Sequence, residues 1–165
     1  MLLISGGAYA GKRRYLRSRE SNLHWHSAYE GMRLAEWQQA WHSASDAAAV
    51  LVLEGWEQWI ADELQQGKSP AVVRKEYGEL LQRLKQLEAS ELGEAAADMS
   101  SGHRVVLLML EIGRGIVPVL PLERALRDAA GWLQQDAAAS CGEAVYIWHG
   151  LAKVMKPVLG EPQLD

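Results

Sequence analysis

The sequence predicts an α/β layered domain around a mostly parallel sheet. Three features predict it: short apolar runs without polar alternation, amphipathic helical stretches between them, and a glycine-rich turn joining the first run to the first helix. Residues 1–5 (MLLIS) form an almost unbroken apolar run ended by glycines, as a strand buried on both faces requires. Residues 23–26 (LHWH) are a second, more polar candidate, and His42 falls on a helix further on. Residues 49–53 (AVLVL) and 105–110 (VVLLML) repeat the pattern of the first run, and residues 145–148 (VYIW) give an aromatic-rich strand ended by His149 and Gly150. Between these strands, Trp56, Trp59, Ile60 and Leu64 share one helical face, and Val73, Tyr77, Leu80, Leu81, Leu84 and Leu87 form a longer stripe. Ser69 before Pro70 marks the start of the longer helix. A third helix over residues 122–138 turns Leu122, Leu126, Ala129, Ala130 and Leu133 inward. Residues 93–102 (GEAAADMSSG) read as a surface loop, residues 1–156 as one domain and 157–165 as a mobile tail.

A chain of 165 residues is long enough for one domain with a substantial core and short for two. With 48% hydrophobic and 23% charged residues and a formal net charge of -4, it offers no electrostatic reason to bind nucleic acid or an anionic membrane. No apolar run approaches the ~20 residues of a membrane span. The single cysteine, Cys141, cannot form an internal disulfide or build a cysteine zinc site, which fits a reducing compartment and a cytoplasmic location. It sits beside Gly142 with no basic neighbour, and it reads as chemically inert.

The sharpest motif is Gly6, Gly7, Ala8, Tyr9, Ala10, Gly11 and Lys12, which satisfies the G-x-x-x-x-G-K spacing of a phosphate-binding P-loop between a strand and a helix. Glycines allow backbone N–H groups to face one concavity, the helix N-terminus adds positive potential, and Lys12 reaches the outer phosphates of a nucleoside triphosphate. The alternative is a glycine-rich turn carrying an ordinary surface lysine. Where the motif places a Ser or Thr to hold Mg²⁺, this chain has Arg13, followed by Arg14. A guanidinium has no lone pair to offer a cation. Either the metal is held through the triphosphate and an acid elsewhere, or catalysis is lost and anion binding retained. No metal ligand is assigned.

Glu54 ends the strand of residues 49–53 at the carboxyl edge of the sheet, where ligands of open α/β sheets bind. It is a candidate for nucleotide or metal contact, against the alternative of a solvated strand-end carboxylate. Glu111 ends the next long strand in the same way and opens the stretch EIGRGIVP, whose Arg114 is placed to contact a phosphate or a partner subunit.

In order along the chain, residues 6–12, Glu54, residues 111–118, then Arg124, Arg127, Asp128, Gly131, Gln135, and finally Glu143, Ala144, Val145, Gly150 and Lys153, resemble the adenosylcobinamide kinase / adenosylcobinamide-phosphate guanylyltransferase family of cobalamin biosynthesis. The G-x-G-I-V-P segment followed by R-x-x-R-D-x-x-G carries most of the specificity. The resemblance implies a three-layer, RecA-like P-loop NTPase fold, a homo-oligomer (a trimer), ATP or GTP with Mg²⁺, and adenosylcobinamide as the corrinoid substrate. It implies two reactions: phosphorylation of the aminopropanol hydroxyl, then GMP transfer through a guanylylated histidine. The arginine-x-x-histidine pattern that carries this histidine in the family is missing. Among His24, His26 and His42, His26 is the nearest candidate for a nucleophile. Leu110 stands where the family has an asparagine, and Arg114 where it has an uncharged residue.

Kinase activity with the guanylyltransferase half weak or lost is therefore the first expectation. A non-catalytic nucleotide-binding paralogue and a small P-loop kinase of another alcohol are the alternatives. Seven tryptophans stand with no phenylalanine. Trp56, Trp59 and Trp132 are expected to fill the core, whereas Trp25, Trp37 and Trp41 are candidates for an exposed surface that receives a large flat ligand or another subunit.

Overall fold

The computed structural model describes residues 1–43, 49–94 (91–94 by backbone only), 104–113, 115 and 117–157. Its strands are β1 (Leu2–Gly6), β2 (Leu23–Ser27), β3 (Val50–Glu54), β4 (Arg104–Leu110), β5 (Glu143–Trp148) and β6 (Leu151–Lys156). They form one sheet in the order β2-β3-β4-β1-β5-β6, parallel throughout except for the antiparallel edge strand β6. The helices are α1 (Lys12–Arg19), α2 (Trp37–Ser43), α3 (Trp56–Gln65), α4 (Pro70–Glu94) and α5 (Pro121–Ser140), with two short 3₁₀ turns between β2 and α2. This is the mostly parallel, three-layer architecture expected of a RecA-like P-loop fold.

Successive side chains of a strand point to opposite faces, so an apolar run buries both. In β4, Val105, Leu107 and Met109 join the large core with α3, α4 and α5, while Val106 and Leu108 join the smaller core capped by Leu16 and Tyr15 of α1. The same alternation divides Leu51 and Leu53 from Val50 and Val52 in β3. Because β1 lies between β4 and β5, its C-terminal end sits in the middle of the carboxyl edge. There, a Cβ on Gly6 would lie 2.3 Å from the carbonyl oxygen of Ile147 in β5, a backbone atom that cannot step aside. Gly6→Ala is therefore expected to destabilise the fold by about 2–4 kcal/mol, read as a lowered urea midpoint. A loss below ~0.5 kcal/mol would contradict that close approach.

Ser69 caps α4 as the sequence suggests, accepting from the Val72 N–H at 3.4 Å, with Pro70 in the first turn. The helix extends through Gly93 and Glu94, correcting the loop expected to start there; residues 95–102 of that loop and 158–165 of the expected tail lie outside the described residues. In α5 the buried residues are Ala129, Leu133 and Ala137, but Leu122 is 42% exposed. The residues of α5 are exposed through the first turn and become covered only from Ala125 onward.

The tryptophans depart most from expectation. Trp56 and Trp59 are core residues, meeting edge to face at 5.6 Å. Trp132 is not: it is 36% exposed, with the Arg74 guanidinium over its ring at 5.5 Å. Conversely, Trp37 and Trp41 are buried, pinning α2 to the sheet rather than presenting a surface. Strand β6 has no counterpart among the expected elements. It is reached by a two-residue turn, His149 and Gly150, with φ of 49° and 83°, so Trp148 pairs with Leu151 in a tight hairpin. Positive φ at both central residues matches the twist of antiparallel strands.

Candidate functional site

The turn between β1 and α1 keeps its shape through its own backbone. The Ala10 N–H donates to the Gly7 carbonyl at 3.3 Å and the Gly150 N–H to the Ala10 carbonyl at 2.8 Å, tying the turn to the β5–β6 hairpin. Gly11 has φ of 100°, and Tyr9, with φ of 55°, stands fully exposed at the tip. Lys12, the first residue of α1, folds its ammonium back over the turn and donates to the carbonyls of Gly6 (3.0 Å) and Gly7 (2.7 Å). Burial lowers the Lys12 pKa, partly offset by the charges of Glu54 and Glu57. A cavity of about 630 Å³ opens in front of the turn, lined among others by Tyr9, Lys12, Arg14, Tyr29, Glu57 and Leu110.

Arg13 and Glu54 meet in this cavity, although 41 residues separate them. Arg13 Nε donates to both carboxylate oxygens, at 2.9 and 3.0 Å, and its Nη2 adds a bond to Oε2. Glu54 is 6% exposed and also accepts from Ser27 Oγ at 3.3 Å, so it is not a solvated strand-end group. The bond to Glu54 is the chief cause raising the Arg13 pKa. Arg13 further lies over the Trp25 ring at 5.0 Å, with Arg17 at 5.6 Å, which accounts for that half-buried tryptophan. The guanidinium is thus held between Glu54 and the Trp25 ring.

Glu57 lies at the start of α3 beyond Gly55, whose φ of 87° and lack of a side chain allow the chain to pass Ala28. It accepts a hydrogen bond from Tyr29 Oη. Desolvation, then that bond, raises the Tyr29 pKa. Neither residue was singled out from sequence. Glu57 carried a faint signal, one turn after a strand-end acid, and Tyr29 none.

Phosphoryl-transferring P-loop sites hold Mg²⁺ through the hydroxyl that follows the lysine and a nearby acid. Here those two positions are Arg13 and Glu54, bonded to each other, and Glu57 is engaged by Tyr29 through Oε1, leaving its buried Oε2 as a single oxygen without a partner among the described residues. This donor set does not fit the metal, and among the described residues no cluster of three or more His, Cys, Asp or Glu is suited to a metal ion.

The remaining candidates lie elsewhere. Glu111 follows β4, where its N–H donates to the Gly6 carbonyl (3.0 Å) and its carboxylate accepts from Tyr146 Oη at 2.7 Å. It borders a separate cleft of about 550 Å³ with Gly113, Arg127 and Trp132, in which Arg127 donates to the Gly113 carbonyl at 2.7 Å. Arg114 lies outside the described residues. His26 is not brought to the glycine turn. It is 3% exposed, stacked on Trp59 at 5.8 Å, with Nε2 at 2.9 Å from the Arg33 carbonyl. His42 is on α2 with Nδ1 2.6 Å from the Gln38 carbonyl, and His24 Nε2 is buried without a partner among the described residues. Cys141 is buried, and desolvation pushes its thiol up to about 11, the inert state read from sequence. No helix among the described residues is long and apolar enough to cross a membrane.

A glycine turn between a central parallel strand and a helix opened by lysine defines this chain as a P-loop α/β domain. The family model for cobinamide kinase / cobinamide phosphate guanyltransferase matches residues 12–155, and the chain belongs to that family. It is similar to the bifunctional adenosylcobalamin biosynthesis protein CobP of Pseudomonas aeruginosa, with 39% identity over 59 residues, which is 36% of this chain and 32% of that protein. The similarity thus spans about a third of the curated relative. Residues 6–11 lie just before the family match, so the glycine turn rests on its own spacing and geometry.

Proposed function

We propose that the chain binds the phosphates of ATP or GTP at residues 6–12 and acts as a cobinamide kinase, delivering a phosphoryl group to the aminopropanol hydroxyl of adenosylcobinamide. The observation that carries this reading is the open cavity in front of the turn, with the Lys12 ammonium at its base and Arg14 on its wall. Two of the three ammonium N–H groups go to loop carbonyls, leaving the third for a phosphate oxygen. A triphosphate seated there has cationic side chains beside the transferring group. Cationic clamps of this kind neutralise charge as it builds in a loose phosphoryl-transfer transition state. Tyr29 and Tyr9 flank the cavity as apolar walls for the rest of the nucleotide. Glu111 and Arg114 are assigned to corrinoid or subunit contact in a homo-oligomer, on the family's pattern alone.

GMP transfer through a covalent histidine needs an imidazole in reach of phosphorus. With His26 packed under Trp59 and bonded to Arg33, the guanylyltransferase half is assigned as weak or absent. The Arg13–Glu54 pair favours a second reading, a nucleotide-binding member of the family without transfer activity. Incubation with adenosylcobinamide and ATP or GTP, followed by mass spectrometry of the corrinoid, separates the two. A gain of one phosphate supports the kinase. Nucleotide binding with no phosphorylated corrinoid supports the second reading and rejects the first.

A further inference from the structure

The cavity at the glycine turn places three cations beside two carboxylates, and their pairing decides which ligand the site prefers. Glu54 is taken at both oxygens by Arg13, whereas Glu57 accepts from the Tyr29 hydroxyl at Oε1 and keeps a buried Oε2 without a hydrogen-bond partner among the described residues. Lys12 bonds only to loop carbonyls, and Arg14 has no hydrogen-bond or ion-pair partner among the described residues. Resting on the reading of this turn as a nucleotide phosphate site, the geometry points to a preference for metal-free nucleotide. The site takes the free, fully charged triphosphate in preference to its Mg²⁺ complex, with the Arg13 guanidinium standing where the ion sits in sites of this kind.

Three considerations carry this. First, the side chain at the ion's position has only N–H donors and offers no oxygen to a cation. Second, Glu54 has both oxygens bonded by that guanidinium, and a third donor, Ser27 Oγ, reaches Oε2, so that Glu57 Oε2 is left as a single carboxylate oxygen for a cation that needs several. A cation would have to break this bonding on a carboxylate that is almost fully buried, a cost that precedes any gain. Third, Mg²⁺ removes about two negative charges from a triphosphate, weakening its attraction to Lys12 and Arg14 at close range. A divalent ion brought within a few ångströms of Arg13 is repelled as well.

The test is calorimetric titration of ATP and of GTP into the full chain, in EDTA and in excess MgCl₂, at matched ionic strength so that screening is equal in both arms. Affinity in EDTA is expected to be at least about threefold tighter than in Mg²⁺. Arg13→Ser, which restores a hydroxyl and frees Glu54, is expected to reverse the order. Arg13→Lys, which keeps the positive charge, should preserve the preference for EDTA and serves if the serine variant does not fold. Wild type binding threefold or more tighter with Mg²⁺ overturns the inference while leaving the nucleotide site standing. Equal affinity in both media overturns the preference and likewise leaves the site. No heat of binding in either medium overturns both.

Discussion

Lys12→Ala is expected to weaken ATP and GTP binding by roughly 30- to 1000-fold, the ~2–4 kcal/mol of a partly buried charge-assisted contact to phosphate. The same change should leave the ligand-free fold within about 1 kcal/mol of wild type. The reason is local. Gly6 and Gly7 lose the ammonium as a donor, but their carbonyls still accept from the Glu111 and Ala10 N–H groups. The burial that lowers the Lys12 pKa is also relieved. Folding and binding are thereby separable at one residue. In thermal melts the free variant should match wild type, and the upward shift that saturating nucleotide gives the wild type should vanish, a shift worth about 2.7 kcal/mol at a hundredfold excess over Kd. A variant that binds within threefold of wild type would remove the lysine from the phosphate site.

Much of this architecture is written locally, and what is not follows a physical pattern. Strands β1, β3 and β4 are legible because each is covered on both faces, so selection for burial leaves an unbroken apolar run. The edge strand β6 is almost wholly exposed, and LAKVMK shows neither a run nor a clean alternation. The His149–Gly150 turn is the one local sign, and in sequence it marks the end of a strand as readily as the middle of a hairpin. Trp37, Trp41 and Trp132 lie in environments opposite to those expected because a tryptophan's burial depends on which helix crosses it, which periodicity within one helix does not specify. At the site, the glycine turn and Lys12 are legible because one stretch of chain supplies them at fixed spacing. In sequence Arg13 stands as a missing metal ligand and Glu54 as a lone acid. Their union depends on β3 ending beside the start of α1, with β2, two 3₁₀ turns and α2 between them in sequence. Pairing of distant charges is a property of the topology, and no local motif encodes it.

That pair also carries a large expected effect on stability. Removing one member of a buried ion pair strands the other, typically at ~3–5 kcal/mol, but Arg13 is 42% exposed and water can re-solvate part of the loss. Arg13→Ser, which leaves Glu54 with Ser27 alone, is expected to cost about 2–3 kcal/mol. Glu54→Gln should cost less, about 1–2 kcal/mol, because the freed guanidinium still lies over Trp25 and reaches solvent. The double variant removes both charges and should be no worse than Arg13→Ser alone, giving a coupling energy of about 1–2 kcal/mol in urea denaturation. Losses that add within ~0.5 kcal/mol would mean the two groups do not hold each other. Arg13 would then be at liberty to turn into the cavity, and the division of labour drawn here, with Lys12 and Arg14 facing the phosphates and Arg13 facing Glu54, would fail at its origin.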